Sequence, residues 1–253
     1  MDITSIIGLV VGIGGILLGQ LLEGGNIGQL MQITAAFIVF GGTFGAIILS
    51  FPQDDLANAI KLVKIAFVKD LGAKPEDVIK EIIGYAQKAR KEGVISLEKD
   101  AKNASDPILK MGLESVSDGA DPVLVRDMLE TKLAQIEDEI KRGAKVWEAA
   151  GGFSPTIGII GAVLGLIQVM QNLSDPSKLG AGIAVAFVAT VYGVGFANLI
   201  AFPFSTKIKL KSEKNFLIKT IMIEGILAIQ AGESPALIER KLYTYCLDNE
   251  EAQ

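Results

Sequence analysis

Long solid-apolar runs alternate with amphipathic ones along this chain, and the change of period divides it. Ile3–Leu22, Leu30–Phe51 and Thr156–Leu173 each run about 18–22 residues without Asp, Glu, Lys or Arg. A fourth stretch, AVAFVATVYGVGFANLIAFPFSTK, begins at Ala184 and meets its first lysine at Lys207. A helix needs roughly 20 such residues to cross about 30 Å of hydrocarbon, so the pattern predicts four transmembrane helices. The first lacks a basic leader and a small-residue cleavage site, so it reads as a retained span and not as a signal peptide.

Between Pro52 and Ala150 the period becomes helical and amphipathic. Asp54 is placed to cap a helix with Ile60, Val63 and Phe67 on one face. In KPEDVIKEIIGYAQKARKEG, Pro75 suits a first turn, Glu76 and Asp77 suit the positive helix end, and Gly93 is a stop. DPILKMGLESVSDG and the segment from DPVLVRDM each open on an Asp-Pro pair, a cap followed by a first-turn proline. Val125, Met128 or Leu129, Leu133, Ile136 and Ile140 form an apolar stripe on the second of these. That helix runs toward Trp147, an aromatic suited to a membrane interface. After Lys207 the fourth span continues, and a further helix is expected around Pro235–Leu247. No run alternates as a strand does. The expected fold is an all-α integral membrane protein with four transmembrane helices and a helical cytoplasmic domain. Its boundaries are transmembrane helices one and two in 1–51, a cytoplasmic helical domain in 52–154, helices three and four in 155–206, and cytoplasmic C-terminal helices in 207–253.

Composition sharpens this picture. Half of the 253 residues are hydrophobic, yet 21 % are charged, and mean hydropathy is +0.43. Charge is therefore segregated, as in a membrane protein with a soluble part. Of the 24 Lys and Arg, 16 lie from Lys61 to Lys145 and seven from Lys207 to Lys241, while Lys178 alone falls in a short loop. By the positive-inside rule the middle region, the tail and both termini are cytoplasmic. A net charge of −5 with no basic patch gives no sign of nucleic-acid binding. Cys246 is the single cysteine and histidine is absent, which removes a disulfide framework, thiolate metal sites and the commonest general base. Nothing nucleophilic is visible, so an enzyme is not expected and no cofactor is implied.

Candidate chemistry lies in what the spans hold and lack. Glycines four apart recur at Gly8/Gly12, Gly15/Gly19, Gly41/Gly45 and Gly161/Gly165. They suit close helix packing, either within the chain or between copies and partners. The GIGG at Gly12–Gly15 lies inside an apolar helix and is no nucleotide motif. Pro155 can be a first-turn proline, whereas Pro203 removes a backbone hydrogen bond and tends to kink a helix. Thr190 either bonds back to a carbonyl one turn earlier or lines a polar path. No span holds a titratable side chain of the kind ion translocation needs. Either the chain conducts nothing, or a partner helix supplies the acid. In RKEGVISLEKD, Arg90 and Glu98 flank Gly93 at helix ends that favour their charges. They are solvated caps or contacts for a partner.

Four motifs carry a resemblance over essentially the whole chain. They are the two-span N-terminus, ARKEGVISLEKDAKN, the long segment from WEAAGGFSPTIGIIGAVLGLIQ to FSTKIKLKSE, and FLIKTIMIEGILAIQAGESPALIERKL. With these the sequence resembles the MotA/PomA/TolQ/ExbB proton channel family, and within it the flagellar stator proteins. The resemblance implies a multi-pass subunit of a bacterial inner membrane. It implies several copies, five around two partner chains, surrounding a MotB-type single helix whose aspartate is the missing acid. Pro155 and Pro203 match the prolines that couple ion passage to conformational change, and Thr190 matches the hydroxyl facing that aspartate. Arg90 and Glu98 match the charges that engage a FliG-type rotor protein. Sodium-driven members carry a threonine seven residues after the first proline, where this chain has Ala162, so protons are the expected ion. Tyr192, Asn198 or a backbone carbonyl in place of the missing ligand would restore the sodium reading. Two alternatives stand beside the stator: an ExbB/TolQ-like energiser of an envelope complex, and a non-conducting membrane scaffold.

Overall fold

The structure is a computed structural model that describes residues 2–68 and 73–246, with residues 177 and 178 described by backbone alone. The side chain of Lys178 and the expected last tail residue, Leu247, lie outside the described residues. Every element is helical among those residues: α1 Ile3–Leu22, α2 Ile33–Ala36, α3 Gly42–Ser50, α4 Gln53–Phe67, α5 Pro75–Glu92, α6 Glu98–Ala101, α7 Pro107–Ser117, α8 Pro122–Gln171, α9 Pro176–Phe196, α10 Phe202–Gln230 and α11 Pro235–Tyr243. Four of the described helical stretches are long and apolar enough to cross a membrane: Ile3–Leu22, Ile27–Ser50, Pro122–Gln171 and Leu179–Gln230. The second comprises a 3-10 turn at Ile27–Leu30, α2, a π-helical turn at Phe37–Gly41 and α3. A second π turn, Ala197–Ala201, joins α9 to α10.

Two compact units divide the chain. One holds Met1–Lys69 and Glu139–Leu210, the other Asp70–Asp138 and Lys211–Gln253. The apolar surface of the first is largely turned outward. Val10, Val11, Leu49 and Ile159 are exposed, as helices in lipid require. The second unit has an ordinary water-excluding core, with Ile79, Ile82, Leu109, Leu113, Ile226 and Ile238 fully buried. The expected signals set its helix ends. Asp106 accepts from Ile108 N at 2.8 Å, Asp121 from Val123 N at 2.9 Å, and Gly93 closes α5 at φ +83°. On α8 it is Leu129, not Met128, that is buried beside Val125.

Three expectations are corrected. Pro52, not Asp54, stands at the N-cap of α4, and Asp54 lies in the first turn. The buried face of α4 is Ala59, Leu62 and Ala66, while Ile60 is 71 % exposed. The two candidate stripes are one residue apart, and contact with α8 and α10 chooses between them. Pro155 does not start a helix: it lies inside α8, which runs 50 residues without a break. The helical turns before it are already formed by the preceding sequence, so the proline removes one donor without ending the ladder.

Candidate functional site

The first candidate site is the seam between α8 and α9 in the membrane-type unit, and its geometry follows from small residues. A Cβ placed on Gly158 would stand 2.9 Å from Ala189 O, and one on Gly165 would stand 2.7 Å from both Ala186 N and Gly182 O. A Cβ on Gly193 would stand 2.5 Å from Ser154 O and 3.2 Å from Pro155 Cα. Backbone thus meets backbone along the seam, which only glycine permits. In lipid, where no hydrophobic effect drives helices together, such close contact supplies the attraction. Of the expected glycine pairs, Gly165 makes this backbone contact and its mate Gly161 faces the Ala189 side chain, Gly12 faces that of Leu199, and Gly8, Gly15, Gly19, Gly41 and Gly45 have nothing within 4 Å in the chain.

Pro155 and Thr190 are brought to this crossing, and Ala162 lies two turns along α8 from Pro155. Thr190 Cα would be 3.5 Å from a Cβ on Gly158. The Thr190 hydroxyl donates to Ala186 O at 3.3 Å and is only partly buried. With its proton engaged, its oxygen remains an acceptor for an incoming donor. Ser154, fully buried, donates its hydroxyl to Gly193 O beside the proline. Sequence reading passed over Ser154, and the Ser-Pro pair next to a seam glycine was its only signal.

Tyr192 and Pro203 lie elsewhere. The Tyr192 hydroxyl donates to Leu30 O and accepts from Gln32 N at 3.3 Å, and its ring stacks on Phe40 at 6.0 Å. It pins the start of the second span. Asn198 is exposed and donates to Val194 O within its own helix. Pro203 is the second residue of α10, directly after the π turn, which absorbs the missing donor. The second span carries its own π turn, and Thr43 just beyond it is fully buried with no hydrogen-bond partner for its hydroxyl.

The second candidate site is the charged corner of the other unit. Gly93 at φ +83° turns α5 into the 3-10 turn Val94–Leu97. Leu97 is fully buried and fixes that turn. Arg90 and Glu98 flank it, both exposed, with Glu98 3.5 Å from Lys102. Lys88 on α5 meets Asp100 on α6 at 2.8 Å, and that hydrogen bond raises the lysine pKa. Glu81 accepts from Tyr85 Oη at 2.6 Å and from Ser105 Oγ at 2.7 Å. Burial, reinforced by Glu81, pushes the Tyr85 phenol well up, so it stays a donor. The corner is therefore braced from below while Arg90 and the Glu98–Lys102 pair stay exposed at its outer edge. No group of three or more potential metal-binding side chains is present among the described residues.

The profile of the MotA/TolQ/ExbB proton channel family matches residues 100–220. Motility protein A of Bacillus subtilis is 33 % identical over 245 residues, covering 97 % of this chain and 91 % of that protein. The structure of C. jejuni MotAB superposes with a TM-score of 0.90 at 29 % identity, covering 97 % of this chain and 96 % of that one. The flagellar MotAB stator complex from Bacillus subtilis gives 0.87 at 32 %, covering 96 % and 95 %. These relatives are stator and channel subunits, not enzymes. The chain belongs to the MotA/TolQ/ExbB proton channel family, with the flagellar stator proteins.

Proposed function

We propose that this flagellar stator subunit forms, with a MotB-type single-span partner, an inner-membrane channel that converts proton flow into torque on a FliG-type rotor protein. The observation that carries the reading is the Thr190 hydroxyl, an unfilled acceptor on a glycine-packed seam in spans that hold no acid. A partner aspartate in its protonated form donates one hydrogen bond, and Thr190 is built to accept it. Sodium would need several oxygens in place of its water, and Ala162 contributes a methyl group. Both termini and the charged region 52–154 lie on the cytoplasmic side in this reading, with the tail from 207. Several copies, five in the family's manner, surround the partner.

Each proton crossing releases about 2.3 kcal/mol per 100 mV. That suffices to tilt α8 and α10 about Pro155 and Pro203, but not to unfold them. Movement there is carried to Arg90 and Glu98, which press on opposite charges of the rotor. The test is Thr190→Val against Thr190→Ser in cells and in proton-flux vesicles. Valine keeps the shape and removes the acceptor, a loss of ~1–1.5 kcal/mol, so flux falls about tenfold with assembly intact, while serine keeps it. Equal flux from both variants ends this assignment. Speed that collapses without external sodium ends the proton assignment.

A further inference from the structure

The outward face of α4 has no role in the channel or the rotor corner. Both ends of this helix are fixed at one boundary. Gln53 follows the last residue of α3, Ser50, by three positions, and Phe67 O accepts from Asp2 N, the N-cap of α1, at 2.8 Å. The first span begins and the second ends on the same side of a bilayer. The 15 residues of α4, roughly 22 Å at 1.5 Å each, therefore lie along the membrane surface. The inward face is settled: Trp147 Nε1 donates to Ala59 O at 3.0 Å, and Leu62 packs with Ala144 and Ile208.

What remains turned outward is Gln53, Asp54, Ala57, Ile60, Lys61 and Lys64, with Val68 just past the helix end. Ile60 is 71 % and Val68 44 % exposed. Neither Lys61 nor Lys64 has an ion-pair partner among the described residues. Of the acids on α4, Asp55 is engaged by Arg142 at 3.1 Å. Asp54 lies two turns before Lys61 at the helix start. An exposed isoleucine beside two unpaired lysines is poorly suited to a protein core. It suits the headgroup boundary, where the branched chain enters the acyl layer and the ammonium groups reach phosphates.

We propose that this face of α4 binds anionic phospholipid of the leaflet it lies on, with Lys61 and Lys64 on the phosphates and Ile60 in the acyl boundary. The proposal needs only that the chain spans a membrane; a complex that conducts nothing can still pass the test. Each near-surface lysine enriches anionic lipid about fivefold. The full chain with its single-span partner is reconstituted in phosphatidylcholine vesicles holding a minority of phosphatidylglycerol. Equal fractions of one lipid or the other are brominated in turn. Quenching at Ile60→Trp is read as the excess over the native Trp147 signal. Stronger quenching by brominated phosphatidylglycerol, falling to parity with Lys61→Gln and Lys64→Gln together, is expected. Equal quenching by both lipids, or by neither, overturns the proposal. Native mass spectrometry needs no tryptophan at position 60: the Lys61→Gln, Lys64→Gln pair should retain fewer phosphatidylglycerol molecules than the wild type, and an unchanged count overturns it.

Discussion

Gly165→Ala tests whether α8 and α9 are held together by backbone contact. A Cβ there stands 2.7 Å from Ala186 N and Gly182 O, and ordinary contact begins at 3.4 Å. Relief requires the helices to part by the difference, 3.4 − 2.7, or about 0.7 Å, because both obstacles are backbone. A gap of that size forfeits roughly a quarter to a half of each dispersion contact along the seam. Overpacked interiors lose about 1–3 kcal/mol. Alanine is also the better helix former, by ~1 kcal/mol, so the expected net destabilisation is about 0–2 kcal/mol against the wild type and about 1–3 kcal/mol against a helical alanine that meets no obstacle. Gly152→Ala is the control: it adds the same methyl group to the same helix and meets nothing within 4 Å. Thermal unfolding of the detergent-solubilised protein, followed by Trp147 fluorescence, reads the difference at roughly 2–4 °C per kcal/mol. A Gly165→Ala protein that melts at or above Gly152→Ala refutes the contact argument.

Two further outcomes follow from the other unit. Lys219 is 7 % exposed and meets Asp106 at 2.8 Å. Breaking a buried pair costs ~3–5 kcal/mol, and water reaching Asp106 places Lys219→Met near the low end. Adding Asp106→Asn, which still caps α7, should recover most of the loss in chemical denaturation; equal stability of single and double variants refutes it. Burial alone would raise the Glu224 pKa, yet Lys241 at 3.1 Å and Arg126 at 3.3 Å hold it below its ordinary 4.5. A lowered folded pKa stabilises above the unfolded value and is lost as pH falls through the folded one. Thermal midpoints should therefore drop below about pH 4.5, and Lys241→Met should reduce that drop; an identical acid profile refutes the pairing.

The sequence by itself determined much of this protein because membranes and helix ends impose local rules. Four uncharged runs, the Asp-Pro starts of α7 and α8, and Gly93 after α5 are each legible from neighbours in the chain. The resemblance also marked Arg90, Glu98, Pro155, Ala162 and Thr190. Local signals did not settle which face of α4 is buried, since Ile60, Val63 and Phe67 form as good a stripe as Ala59, Leu62 and Ala66. Only the neighbouring α8 and α10 break that tie, and they favour small residues that let backbones approach. Nor did pattern reveal that Pro155 sits within one continuous helix, because a proline fits a first turn and an interior equally once earlier residues have built the ladder. Tyr192, grouped with the ion path by sequence, is engaged with Leu30 and Gln32, some 160 positions earlier in the chain. Partners so distant in sequence are chosen by how the spans pack, and no local period records them.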